Sequence, residues 1–323
     1  MRTTAPSTPT PSTAPICRVV LLTPVCHRRS TPNTRVAVVT TKRWALGGDL
    51  SVARIGYGAM KLTGWPRGER PSRDTSLAIL RRAVELGVNH IDTSYYYARD
   101  GVAANELIRE ALHPYPDDLV IVTKVGALVE GSDLSLPATG KTGLTPGNLR
   151  RGIEANLRSL GLDRLDVVNL RMGDLDRGDT PLAAPLETLL AMREEGLIRH
   201  LGISNVTAAE FAEARKIAPI ACVQNLYNLA RRDDDPLIDA CAEAGIAYVP
   251  FFPVGGFQPI TAERLDAVAS RHRATAPQVA LAWLLARSPN ILLIPGTGSL
   301  DHLEQNIAAG ELRLSKEDIA ELG

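Results

Sequence analysis

From about residue 53 onward the chain repeats one pattern, a short apolar run followed by a segment whose apolar positions fall three and four apart. The runs are Ala53–Gly58, Val88–Asp92, Leu119–Lys124, Leu165–Leu170, Ile198–Ser204, Ile220–Gln224, Ile246–Pro250 and Ile291–Pro295. Between them, Leu77, Leu80, Ala83 and Val84 share one helical face, as do Leu149, Ile153, Leu157 and Leu160. Punctuation agrees: Thr145-Pro146 reads as an N-cap and first helical residue, and Gly87, Gly161, Gly196 and Gly245 stand where helices stop. Apolar runs alternating with amphipathic helices predict a parallel sheet covered on its outer face. Eight such units in roughly 250 residues predict an α/β fold of the (β/α)8 TIM-barrel type rather than an open doubly wound sheet. No G-x-G-x-x-G follows any run, which argues against a Rossmann domain.

Ahead of the first run, "WALGGDLSVARIG" reads as a β-hairpin turning at Gly47-Gly48 and placed to plug the N-terminal end of the barrel. The stretch 126–143, "GALVEGSDLSLPATGKTG", is long and lacks helical spacing. In a barrel it falls on the C-terminal face and is a candidate lid. Residues 1–43, rich in Pro, Thr, Ser and Arg, predict a disordered N-terminal extension before a barrel over 44–323. "ICRVVLLTPVC" is only weakly like an export signal, because it holds Pro24 and has no small-residue cleavage site.

Composition narrows the function classes. The 323 residues carry 36 basic and 36 acidic side chains, so bulk charge gives no argument for a nucleic-acid or membrane-surface partner. No apolar run reaches the roughly 20 residues of a membrane span. Cys17, Cys26, Cys222 and Cys241 show no C-x-x-C spacing, so neither a metal site nor a disulfide framework is expected. The expectation is a cytoplasmic protein, with its oligomeric state open.

Barrel chemistry is expected at the C-terminal ends of the strands. Those positions hold Asp92, Lys124, Arg171, Ser204, Asn205, Gln224 and Tyr248, with Gly296-Thr297-Gly298 after the last strand. A carboxylate closing an apolar strand needs a partner, and adjacency of the second and third strands makes Lys124 the expected one. "HIDTSYYYARD" then sets three tyrosines beside that pair. A cation near a phenol lowers its pKa from about 10 and makes a usable acid.

In this order, "HIDTSYYY", "NELIREAL", "VTKVG", "DVVNL", "GISN", "VQNLYN" and "IPGTGSLDHLEQN" resemble the aldo-keto reductases, from about Trp44 to the end of the chain. Within that family the chain looks most like a bacterial branch that includes pyridoxal reductases. The resemblance implies an NADPH-dependent carbonyl reductase, with NADH possible. The proton donor would be Tyr97, five positions after Asp92, with Lys124 depressing its pKa and Asp92 orienting Lys124. Tyr95 and Tyr96 would be wall residues. It implies a nicotinamide held by Ser204, Asn205 and Gln224 and stacked on Tyr248. Ala59, Met60, Pro250, Gly296, Thr297, Gly298, His302, Gln305 and Asn306 would complete the cofactor site, its phosphate lying at a helix N-terminus.

The pattern is broken in three places. The position of the family's active-site histidine holds Arg171, whose charged planar fork suits an oxyanion, carboxylate or phosphate. Alternatively Arg171 pairs with Asp174 or Asp176. Gly296 and His302 replace the lysine and arginine many members carry, which weakens the case for a strict 2′-phosphate preference. The chain also lacks a long C-terminal tail over the substrate pocket, leaving 126–143 for that role. Pyridoxal is the expected substrate, with a biosynthetic ketone as an equal. Two other readings remain: an NADP(H)-binding regulatory protein like the potassium-channel β-subunits, and a non-redox barrel enzyme, which the fold alone would not separate.

Overall fold

The computed structural model describes residues 43–64, 68–127, 143–172, 181–255 and 263–323. The chain begins there as an antiparallel hairpin of β1 (Arg43–Leu46) and β2 (Leu50–Ala53), with Leu46 opposite Leu50. Its three-residue loop needs positive φ at Gly47 (+65°) and Gly48 (+92°), and a Cβ on Gly47 would run into the His200 ring. The barrel follows: β3 (Tyr57–Gly58), α1 (Arg73–Glu85), β4 (His90–Asp92), the short hairpin β5 (Ala98–Arg99) and β6 (Val102–Ala103), and α2 (Ala104–Leu112). Next come β7 (Val120–Val125), α3 (Pro146–Leu160), β8 (Leu165–Arg171), α4 (Ala183–Glu194), β9 (Ile198–Ser204) and α5 (Ala208–Ile217). The last part holds β10 (Ile220–Gln224), α6 (Asp235–Glu243), β11 (Ala247–Tyr248), α7 (Glu263–His272), α8 (Ala276–Arg287), α9 (Leu300–Ala308) and α10 (Lys316–Leu322).

Seven parallel strands lie in the order β11-β10-β9-β8-β7-β4-β3. The predicted eighth strand closes the ring through single parallel bridges, Ile291 to Tyr248 on one side and Leu293 to Ile55 on the other. Arg54 fixes that closure. Its guanidinium donates to the carbonyls of Ile291 (3.0 Å), Leu285 (2.9 Å) and Ser288 (2.6 Å). Burial pulls its pKa down to about 10, so these carbonyls are what keep a charge tolerable there.

Strand alternation sorts the side chains into two cores. Val120, Val122, Val167, Cys222, Ala247, Val249, Leu292 and Ile294 fill the lower barrel, where Leu46, Leu50 and Val52 of the hairpin pack against them. The hairpin is therefore a plug. Ile121, Val125, Val168, Leu170, Leu201, Ile203 and Val223 face the helices, meeting residues such as Leu149, Ile153, Leu186 and Leu189. Each such buried aliphatic contributes roughly 1.5–3 kcal/mol relative to exposure. The predicted caps are present: Thr145 accepts from the Asn148 amide ahead of Pro146, and Gly161 ends α3 at φ +67°.

The pattern of one helix per crossover fails in two places. The β5–β6 hairpin intervenes between Tyr97 and α2, and both α7 and α8 lie between β11 and the closing segment. Among the described residues no helix is long and apolar enough to cross a membrane. Residues 1–42 and most of 126–143 lie outside the described residues.

Candidate active site

The inward positions turn polar at the C-terminal ends of β4, β7, β8, β9 and β10. Lys124 Nζ meets Asp92 Oδ1 at 2.5 Å and the Thr93 carbonyl at 3.0 Å, with both members of the pair buried. Gln224 Nε2 donates to the other carboxylate oxygen, Asp92 Oδ2, at 2.8 Å. Strand β10 is not a neighbour of β4, so this bond crosses the barrel interior. Beside it, Cys222 Sγ donates to Asn169 Oδ1 at 3.2 Å, linking β10 to β8 across β9. That link exists because Gly202 lies between them: a Cβ there would come within 2.1 Å of Asn169 Oδ1 and 2.7 Å of Cys222 Sγ. Ser204 Oγ, Gln224 Oε1 and Asn169 Nδ2 are buried without a hydrogen-bond partner among the described residues. Such atoms in one polar layer are unusual and mark a place where a ligand's polar groups fit.

The three tyrosines separate by environment. Tyr95 donates its hydroxyl to the Ala127 carbonyl at 3.0 Å. The rings of Tyr95, Tyr96 and Tyr97 stack edge to face at 5.3 and 5.2 Å, and Lys124 Nζ lies 4.9 Å from the centre of the Tyr97 ring. The expected acidification by Lys124 is not what the structure gives. Burial and then the Asp92 carboxylate hold the Tyr97 phenol above its ordinary range, and the cation opposing them is Arg171. Tyr96 is pushed up to about 12 by burial, against Arg171 and Lys124. Burial is the larger cause, and Asp92, which sits on Lys124, adds to it and offsets the lysine's field at the phenol.

Arg171 closes β8, half-buried, with its guanidinium carbon 5.5 Å from the centre of the Phe251 ring. Asp174 and Asp176 lie outside the described residues. Phe252 next to Phe251 takes φ +53°, a conformation that costs a bulky residue on the order of 1–3 kcal/mol. The Asn228 amide and Gly255 N–H hold that turn by donating to the Phe252 carbonyl at 3.1 and 2.9 Å. Tyr248 requires a correction. Ala247 and Val249 take the inward positions of this strand, so Tyr248 points outward. Its ring meets Tyr227 edge to face at 5.9 Å, its hydroxyl donates to Asp234 at 2.7 Å, and it is fully buried. Phe251, which follows buried Pro250, is the aromatic on the Arg171 side instead.

At the C-terminal end of β3, Gly58 and Gly296 touch. A Cβ on Gly296 would lie 2.6 Å from the Gly58 carbonyl oxygen, so packing against β3 explains why glycine stands at this position. Tyr57 donates its hydroxyl to the Thr297 carbonyl at 2.7 Å, and Thr297 Oγ1 accepts from the Ser299 amide at 3.1 Å. Ser299 in turn caps α9 by accepting from the His302 amide. His302 is exposed on the first turn, with Gln305 and Asn306 half-buried one turn on. Gly298 lies against Pro71. Ala59 is buried and Met60 half-buried after β3, and Asn205 holds φ +59°, which Asn tolerates better than most residues.

A sequence profile of the Aldo/keto reductase family matches residues 54–323. The chain belongs to that family. It is 55% identical over 284 residues to the pyridoxine 4-dehydrogenase of Escherichia coli K12, spanning 85% of this chain and 95% of that one. Among solved structures, a thermostable aldo-keto reductase in complex with the inhibitor epalrestat is 30% identical, with a TM-score of 0.73 over 87% of this chain and 98% of the other. An aldo/keto reductase of Klebsiella pneumoniae, solved with NADP and acetate, is 29% identical with a TM-score of 0.69, covering 87% and 94%. As an aldo/keto reductase, the chain is an NAD(P)H-dependent oxidoreductase.

Sequence reasoning missed Asn169, Cys222 and Phe251 in this aldo/keto reductase site. A signal for the first two was available. Asn169 lies two residues before Arg171 and Cys222 two before Gln224, so strand alternation puts each pair on one face.

Proposed function

We propose that this aldo/keto reductase reduces the aldehyde of pyridoxal, or a related carbonyl with an acidic oxygen beside it, to the alcohol with NADPH, and more weakly with NADH. The observation that carries this reading is the pair of buried, unpartnered atoms Ser204 Oγ and Gln224 Oε1 next to the Asp92–Lys124 pair. A primary carboxamide offers both donors and an acceptor, so nicotinamide fits them. Ser204, Asn205 and Gln224 would hold that end, with Gly296, Thr297 and the first turn of α9 toward the phosphates. The bound cofactor supplies the hydride.

Tyr97 gives the proton to the carbonyl oxygen. Its phenol keeps that proton in the resting protein because burial and Asp92 oppose ionisation. Arg171 carries the charge that offsets this, and its planar fork matches a phenolate or carboxylate next to the reacting carbonyl. The Escherichia coli relative, named for a pyridoxine oxidation, supports the substrate class.

The test is consumption of reduced nicotinamide absorbance by the purified protein with pyridoxal and a panel of simple aldehydes. Turnover with recovery of the alcohol is expected. Cofactor binding without turnover on any carbonyl would favour the regulatory reading, and failure to bind cofactor would favour a non-redox barrel.

A further inference from the structure

Thr93 follows Asp92 and Thr123 precedes Lys124, so strand alternation turns both threonines away from the barrel interior, toward α2 and α3. Both are fully buried, and both end on asparagine amides. Thr93 Oγ1 donates to Asn105 Oδ1 at 2.8 Å, and Thr123 Oγ1 donates to Asn156 Oδ1 at 2.6 Å. Asn105 Nδ2 joins the two halves, donating to Asn156 Oδ1 at 3.0 Å and to Ser159 Oγ at 2.9 Å. Asn156 Nδ2 closes on the Gly152 carbonyl at 2.8 Å. On the inner side the Thr93 carbonyl takes one N–H of Lys124, and Asp92 Oδ1 takes a second.

We propose that Asn105 and Asn156 are positioning residues for Lys124, holding from outside, through Thr93 and Thr123, the two strand ends that aim its ammonium at the Tyr97 ring. The role rests on the carbonyl-reductase reading above. Helix docking alone does not require these groups. Helices α2 and α3 already bury Leu107, Ile108, Leu149 and Ile153. Replacing both partners of a buried hydrogen bond by apolar groups of the same shape is often nearly neutral for stability. What such a network adds is a fixed geometry, because each member's direction is set by the next. Here it grips the residue next to each half of the ion pair. The ammonium has three N–H groups, two of them committed to Asp92 and the Thr93 carbonyl. The direction of the third depends on where those two acceptors stand.

Behind burial, the Tyr97 phenol is raised by Asp92 on β4 and lowered by Arg171 on β8, while Lys124 on β7 and the neighbouring Tyr96 are the other titratable groups facing its ring. Moving Lys124 away would leave Asp92 less compensated and raise the phenol further.

Thr93→Val keeps the shape and removes the donor, whereas Thr93→Ser keeps the donor; Thr123→Val is the matching change on β7. Two readouts apply. One is the tyrosinate absorbance of cofactor-free protein, taken as the difference that Tyr97→Phe removes. The other is kcat and KM for NADPH with an aldehyde. Thr93→Val should move the Tyr97 titration upward and lower kcat by about tenfold, since small misplacements of catalytic groups are costly. KM for NADPH should stay within about twofold if only the proton donor is disturbed, and Thr93→Ser should restore wild-type behaviour. Valine variants that melt earlier but titrate and turn over like wild type would reduce the network to helix docking and overturn the proposal. Should the wild-type protein lack turnover, the reductase reading fails, while the titration still decides the positioning role. An upward shift in Thr93→Val supports it, and coincident curves remove it.

Discussion

The two ends of this barrel are built on the same strands and solve opposite problems. Along β7 the inward positions read Val120, Val122, Lys124, and along β8 Val167, Asn169, Arg171. On β10 the change is from Cys222 to Gln224. The lower positions meet Leu46, Leu50 and Val52 of the hairpin in a dry core. The upper ones meet one another in a layer of one ion pair, amides and polar atoms without a partner among the described residues. Stability and chemistry are thus divided by depth along each strand. A buried charge layer is tolerable at the upper end because the lower end and the helices supply the apolar burial.

The strongest test of that division is Tyr97→Phe. It should lower turnover on the order of 10² to 10⁴-fold, the usual worth of a general acid, while cofactor affinity measured by fluorescence titration stays the same. Tyr95→Phe and Tyr96→Phe should keep most activity. Loss in Tyr96→Phe alone would show that the wrong tyrosine has been assigned.

At the opposite end, Leu50→Ala should cost about 2–4 kcal/mol of unfolding free energy, by lost burial and a residual cavity. Its kcat near 25 °C should be unchanged. A matching fall in kcat would mean the plug and the site are coupled, and the division by depth would be wrong.

Arg171→Met should move the basic limb of the pH–rate profile upward, because Arg171 is the cation that lowers the Tyr97 pKa. It should also cost a substrate with an acidic oxygen more than it costs benzaldehyde, by about tenfold if one charge-assisted bond is lost. Equal losses with an unmoved limb would take Arg171 out of the mechanism.

His90 sharpens the contrast from below. It lies on β4 two positions before Asp92, its ring so close to Gly56 that a Cβ there would be 2.2 Å from Nε2. Burial pulls its pKa from 6.5 down to about 4. The unfolded chain therefore binds the proton more readily. The stability contributed by neutral His90 is complete above about pH 6.5 and declines as pH falls through 4. His90→Leu should flatten that decline in melting temperature. An identical pH dependence in the variant would show that other groups set it. The smallest effect is expected from removing residues 1–42, whose composition gives no folding core. Steady-state kinetics of the trimmed protein should match the full chain.

Much of this could be read from neighbours in sequence. The boundaries of β9 and β10 match the apolar runs residue for residue, and the Thr145 cap and Gly161 stop sit where local chemistry puts them. The Asp92–Lys124 pair was also readable, since consecutive strands place their ends side by side. Tyr248 was misread because its motif was recognised without asking which face of the strand it occupies. The inward positions of Ala247 and Val249 settle that. The closing strand was overestimated for a related reason: it meets its neighbours at single bridges while Arg54 holds it through side-chain bonds.

By itself, then, the sequence determined the order of the eight units, their caps and the residue types at each strand end. Those depend on periodicity and turn chemistry within a few residues. Only the tertiary structure decided that Gln224 reaches across to Asp92, that Tyr248 turns outward while Phe251 meets Arg171, and that the Tyr97 phenol is raised instead of lowered. Each of these is set by burial and by Coulomb interactions between side chains far apart in the chain, whose distances exist only once the barrel has closed.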